Sequence, residues 1–328
     1  MAQWAPFSKE KLKQVIAKCN DSSAPGPDKL SWWHLKIIIK QDKCLTNIIN
    51  IANACINLEH WPDYFKRSST IIIPKPNKLS YNHAKIFWPI VLLNTLGKLI
   101  EEVIAERIQF TVMKNNFIHP CQLDGLKFKS TMDAGVALMH IVRSRWVKGK
   151  STSTLAFDIS QFFPSLNHNL LTTTLSKAGL EPKVSKFFAD YLVQRKTNYI
   201  WNNLQSPEFE VNVDVGQGSV LSPILSALYL APFLHILEKH LKILKIPIFM
   251  LSFVDNGLII AQNNSIPISN SQLFCSYNVL SNLLTDFSLV IEHGKTEIFH
   301  FTRSHGEFNP PPLDLSPLGG PVLHPKNS

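Results

Sequence analysis

No two cysteines in this chain form a C-x-x-C pair, and the five present (Cys19, Cys44, Cys55, Cys121 and Cys275) are scattered. That excludes a disulfide framework and a structural zinc site, and it fits a reducing compartment. Long apolar runs are missing too. The most apolar window, LSPILSALYLAPFLHIL at 221–237, is interrupted by Pro223, Pro232 and His235. It is too short and too broken for a membrane span and reads as a buried helix. The start, MAQWAPFSKEKLKQ, lacks the apolar stretch of a signal peptide, so an intracellular location, nuclear or cytoplasmic, is expected rather than secretion. There is no internal repeat and no low-complexity block. Acidic residues are in deficit: 24 Asp and Glu stand against 33 Lys and Arg, a net charge of +9. A polyanionic partner follows, nucleic acid ahead of a membrane surface.

What is present is enough apolar material for a substantial core, 45% of 328 residues. Ser8 is placed to cap a helix through KEKLKQVIAKC, and SSAPGPD at 22–28 breaks the chain. Helices are expected around 31–40 and 43–59, over 94–114, where Leu96, Leu99, Ile100, Val103, Ile104 and Ile108 recur at helical spacing, and over 131–148. Strands are expected at TIIIP (70–74), TLAFDI (154–159), TNYIW (197–201), EFEVNV (208–213), SLVIE (288–292) and TEIFHF (296–301). The apolar runs around Asn256-Gly257 predict a tight hairpin with Asn-Gly in its turn. A helical first half and a strand-rich second half indicate an α+β fold with helices over one face of a mixed or antiparallel sheet.

Two carboxylates end apolar strands, Asp158 in LAFDIS and Asp255 in SFVDN. If these strands are neighbours, the acids converge and suit hard cations such as Mg²⁺, which prefers oxygen ligands. Either one alone reads better as a turn or cap residue. Asp133, Asp190 and Asp286 lie in helical contexts and read as surface or capping acids. Between the two strand-end acids, VGQGSVLSP (215–223) offers Gly216 and Gly218 for close backbone approach, just before a helix whose exposed N–H groups suit a phosphate backbone.

The order FDISQFFPSL, GQGSVLSP, FVDN, HGKTE resembles the palm of a reverse transcriptase of the non-LTR (LINE-type) retrotransposons, a degenerate and truncated fungal-like copy. SSAPGPDKLSWWHLK matches that family's opening, IIIPKPNK with WPIVLLNTLGKLIEEVIAERI its fingers, and QLDGLKFKSTMDA the link from fingers to palm. The resemblance runs from Phe7 to Arg303. It implies a right-hand polymerase fold of fingers and palm without a thumb. The expected parts are an N-terminal helical extension (1–60), fingers and link (61–150), a palm with a small, mostly antiparallel sheet (151–303) and a loose tail (304–328). It also implies an RNA-directed DNA polymerase working on an RNA template, a DNA primer and dNTPs with two Mg²⁺ ions.

By the same resemblance Asp158 and Asp255 are the metal ligands. Phe163 falls where an aromatic crowds the sugar 2′ position, though it reads equally as a core residue. Gln217, Gly218 and Ser219 would meet template and nucleotide, and Lys75 the triphosphate. Lys295 would protonate the leaving pyrophosphate; both lysines read otherwise as solvated surface residues. The chain departs from the family at three positions. Asn256 replaces the second tip Asp, Trp88 replaces an Arg, and Asp124 replaces a Gly where a left-handed backbone would make Asp a strain. The primer-grip strand-turn is not reached, and no endonuclease or RNase H segment is visible. These departures imply weak or lost polymerisation. The alternatives are a non-catalytic nucleic-acid-binding remnant and a marginally folded relic.

Overall fold

The computed structural model describes residues 4–77, 80–83, 86–126, 129–202, 204–211, 218–302 and 310–325. In chain order its elements are α1 (Lys9–Ala17), α2 (Trp32–Ile38), α3 (Asp42–Asn57), β1 (Arg67–Pro74), β2 (Phe87–Leu93), α4 (Thr95–Lys114), α5 (Thr131–Trp146), β3 (Ser151–Asp158), α6 (His168–Lys177) and α7 (Pro182–Tyr191). There follow β4 (Arg195–Trp201), β5 (Leu204–Gln205), β6 (Phe209–Val211), α8 (Ser222–Ile243), β7 (Ile248–Phe253), β8 (Asn256–Asn263), α9 (Ile266–Asp286), β9 (Glu297–Phe301), β10 (Leu313–Asp314) and β11 (Val322–Leu323). They form two compact units, one of Met1–Asn116 with His168–Leu225 and one of Phe117–Asn167 with Ser226–Ser328. These units interleave along the chain, whereas the divisions expected at 60, 150 and 303 are consecutive.

In the first unit β1 pairs antiparallel with β2 and parallel with β4, and β5 and β6 extend from β4. The β-branched run TIIIP makes β1 a strand. β2 forms where no strand was expected; it contains Pro89, and its edge position tolerates the missing N–H. Ser8 caps α1 as expected, accepting from the Lys11 N–H at 3.2 Å. The GPD turn is fastened to the start of α4. Gly26 passes so close to Leu93 that a Cβ would lie 2.2 Å from its carbonyl oxygen. Asp28 accepts from the Thr95 N–H at 2.9 Å, an anion at a helix N-terminus. Asp190 is not a plain surface acid. It accepts from the Trp61 N–H at 2.7 Å and sits 3.2 Å from Lys66 Nζ, a lysine only 2% exposed that needs a counter-charge. Trp61, Phe187, Phe188 and Tyr191 close the core around this contact.

The second unit holds an antiparallel sheet in the order β7-β8-β3-β9. Helix α9 lies against β8 and β3, and α5 against β3. Asp133 does cap, forming a reciprocal box with Ser130 at the start of α5. Helix α8 is apolar and largely buried from Ile224 to Leu234, as its sequence implied, while its last turns from His235 onward are largely exposed. Two expectations fail here. SLVIE forms no strand of its own: it makes an isolated bridge between Ile291 and Ile159, with the Ser160 N–H on the Val290 carbonyl. The end of the chain is not loose over 310–325. β10 and β11 pair, and Leu313, Leu315 and Leu323 are buried; the Pro and Gly residues punctuate a packed hairpin. Among the described residues no helix is long and apolar enough to cross a membrane.

Candidate active site

β3 ends on Asp158 and β8 begins on Asn256, and the two residues are paired across the sheet. Register does this: β3 and β8 are matched residue for residue from Ser151–Asn263 to Asp158–Asn256. The hairpin turn is Val254-Asp255, because Phe253 already pairs with Asn256 and Ser252 with Gly257. Asn-Gly is therefore not the turn, contrary to expectation. The left-handed position falls on Val254, at φ 54, an outlier for a β-branched residue of the kind held at functional tips. Gly257 has another reason to be glycine. A Cβ there would sit 2.1 Å from the ring of Phe157, its partner on β3.

The second unit thus brings Asp158, Asp255, Asn256 and Lys295 together. Asp158 is 6% exposed, and its Oδ2 accepts from Lys295 Nζ at 2.5 Å. A short 3-10 turn at His293–Lys295 aims the lysine, anchored by the Glu292 N–H on the Asp158 carbonyl at 2.8 Å. That hydrogen bond to Asp158 holds the Lys295 ammonium above its ordinary pKa. Asp255 is half-buried, and the Ile159 N–H donates to its carbonyl at 2.8 Å. Burial, and then the charge of Asp158, push its carboxyl above the usual range, against the opposing pull of Lys295 and the Asn256 amide. Asn256 Nδ2 donates to Asp255 Oδ1 at 2.8 Å. An amide here is attracted to Asp255 where a second carboxylate would be repelled.

Asp124 joins the electrostatics of this site. It is 2% exposed, and neither carboxylate oxygen makes a hydrogen bond of ordinary geometry. Burial raises its pKa and the charge of Asp255 adds to the rise, while the Val254 N–H opposes it. The feared strain is absent, because the left-handed residue is Gly125, at φ 63. Phe163 opens a 3-10 turn and is half-buried, whereas its neighbour Phe162, 2% exposed, fills the core. Among the described residues no group of three or more His, Cys, Asp or Glu side chains is arranged to hold a metal ion. The acids present, Asp158 and Asp255, are nevertheless the oxygen donors a hard cation takes.

The other candidates lie in the first unit, except Gln217, which falls outside the described residues. Lys75 follows β1, its N–H on the Ile86 carbonyl. Trp88 lies on β2 opposite Ile73 and is 43% exposed, so it is not a core substitution. Gly218 is exposed, at φ 133, where a Cβ would meet the Val91 carbonyl oxygen at 2.4 Å. Ser219 is only 6% exposed. Its hydroxyl donates to Glu101 Oε2 at 2.8 Å, lies 2.9 Å from the Tyr191 hydroxyl and accepts from the Leu221 N–H at 3.1 Å. Glu101, 2% exposed on α4, carried no signal among the apolar residues around it.

Comparison with known proteins bears on this arrangement. The family model "Reverse transcriptase (RNA-dependent DNA polymerase)" matches residues 73–319. The probable RNA-directed DNA polymerase from transposon X-element of Drosophila melanogaster is 27% identical over 225 residues, 68% of this chain and 24% of that protein. The Pol polyprotein from the type-1 retrotransposable element R2 of Popillia japonica is 23% identical over 268 residues, 80% of this chain and 35% of that protein. The chain therefore spans about a quarter to a third of the length of these relatives. Apo telomerase from Candida tropicalis has a similar fold, with TM-score 0.54 at 12% identity over 75% of this chain and 46% of that one. The α+β architecture is that of reverse transcriptase fingers and palm. With its family model matched over 73–319 and transposon polymerases among its relatives, the chain belongs to the reverse transcriptase family and is of the LINE type.

Proposed function

We propose that this chain is the RNA-directed DNA polymerase domain of a retrotransposon, and that its nucleotidyl transfer is impaired. The observation that carries the reading is the pairing of Asp158 with Asn256, which sets it against Asp255 in the adjoining hairpin turn and beside Lys295. In this reading the chain holds an RNA template, a DNA primer and a dNTP. Asp158 and Asp255 would hold Mg²⁺, which when bound would supply charge stabilisation for nucleotidyl transfer. Lys295, kept protonated by Asp158, has a proton to give to the departing pyrophosphate. Phe163, half-buried after β3, would lie against the sugar, and Gly218 and Lys75 would contact template and triphosphate.

Impairment rests on Asn256 and Trp88. The amide is a weaker Mg²⁺ ligand than a carboxylate. Tryptophan cannot bind phosphate bidentately as arginine does. The test is primer extension on an RNA template by the native chain and by Asn256→Asp/Trp88→Arg. We expect extension at or near background for the native chain and at least a tenfold gain in the double variant, abolished again by adding Asp158→Asn. Robust extension by the native chain would sink the impairment. The same two substitutions favour a second reading, a non-catalytic nucleic-acid-binding protein. Salt-sensitive binding of an RNA–DNA hybrid, with no incorporation by either protein, would select it.

A further inference from the structure

Glu101 has no part in the mechanism above, yet both oxygens of its buried carboxylate are hydrogen-bonded. Tyr191 donates to its Oε1 at 2.7 Å, and Oε2 accepts from the Ser219 hydroxyl at 2.8 Å and the Val220 N–H at 3.1 Å. Tyr191 and Ser219 also touch each other at 2.9 Å, closing a three-membered ring of polar groups in the core. A buried carboxylate is costly unless its lone pairs are filled, and these donors fill them. Burial, and then the charge of Glu101, hold the Tyr191 phenol above its ordinary pKa, so it stays a donor. On its other side the turn is pinned by Gly218, which packs against the Val91 carbonyl with no room for a Cβ.

From this we infer that Glu101 is the positioning residue of the Gly218–Leu221 turn: from beneath, it fixes the exposed backbone of Gly218 that a nucleic acid meets. The inference rests on the polymerase or nucleic-acid-binding reading and deepens it. The Ser219 hydroxyl faces inward, so recognition at this turn falls to the exposed main chain of Gly218. Main chain cannot adjust by rotamer, so its placement must be imposed from outside the turn. Glu101 is the group that imposes it, and Tyr191 holds Glu101 in place.

The experiment compares the native chain with Glu101→Gln and Tyr191→Phe. It measures affinity for an RNA–DNA hybrid oligonucleotide, hydrogen exchange at the Val220 amide and the thermal unfolding midpoint. Glutamine keeps the size of the side chain but cannot accept from all three donors. We expect Glu101→Gln to weaken hybrid binding about tenfold and to release the Val220 amide to faster exchange, while the unfolding midpoint stays within a few degrees. Tyr191→Phe should fall between the two. Ser219→Ala combined with Glu101→Gln should lose little more than Glu101→Gln alone, because both act through one contact. A native chain that binds hybrid, with Glu101→Gln binding as tightly, overturns the inference. Weakened binding that only tracks a collapsed unfolding midpoint overturns it too. A native chain that binds no hybrid overturns the functional reading itself, and this inference with it. That result is told apart by the native arm alone.

Discussion

Asn256 opens β8 beside the hairpin turn and bears on the chemistry there. Its amide gives Asp255 a hydrogen bond at 2.8 Å, and Asp255 is a carboxyl that burial and Asp158 already make reluctant to ionise. A carboxylate in its place would add a third negative charge beside Asp158 and Asp255, tolerable chiefly with a cation present. Its neighbour Gly257 answers to packing rather than to turn geometry. Gly257→Ala would drive a Cβ into Phe157 from a paired strand that cannot retreat. We expect a loss of roughly 1–3 kcal/mol in urea denaturation. Gly257→Ala with Phe157→Leu should recover part of it, and full stability of the single variant would refute the steric account.

At the scale of elements, the β7–β8 hairpin and β3 make one object, because every residue of β8 is paired with β3. The site's acids therefore move together or not at all. The β10–β11 hairpin is held by side chains rather than by its short ladder. Leu315 is fully buried between the two strands in sequence, and the Asn270 side chain of α9 donates to the Pro311 carbonyl at 3.2 Å. Leu315→Ala should cost about 2–5 kcal/mol, read as a lower urea midpoint with unchanged slope. A loose hairpin would show no change.

For the molecule as a whole, pH bears on stability through His300. It is 3% exposed on β9, its Nδ1 lies 2.7 Å from the Ser153 hydroxyl on β3, and burial pushes its pKa down to about 4. The unfolded chain binds a proton there near the ordinary value of 6.5, whereas the folded chain resists until about pH 4. The contribution of His300 is therefore intact above pH 6.5 and is lost as pH falls from 6.5 to 4, on the order of 3 kcal/mol. Urea midpoints taken across that window should fall, and His300→Asn should flatten the slope. An unchanged slope in the variant would remove His300 from the account.

The sequence by itself determined the α+β class, most helices and strands, and the place of Asp158 at the end of its strand, because periodicity and strand-end position are local properties. It misread what depends on partners. The turn at 254–255 was displaced to Asn-Gly because register is set by β3 and not by turn preference. The edge strand β2 went unread, and Pro89 within it is tolerated because β2 has a partner on one side alone. The hairpin over 310–325 was taken for loose chain because its leucines are sparse until a core receives them. Asp190 read as a surface or capping acid, Asp124 as a replaced glycine, and Glu101 gave no signal. Only the tertiary structure, by excluding water from around them and choosing which donors they meet, decided what each one does.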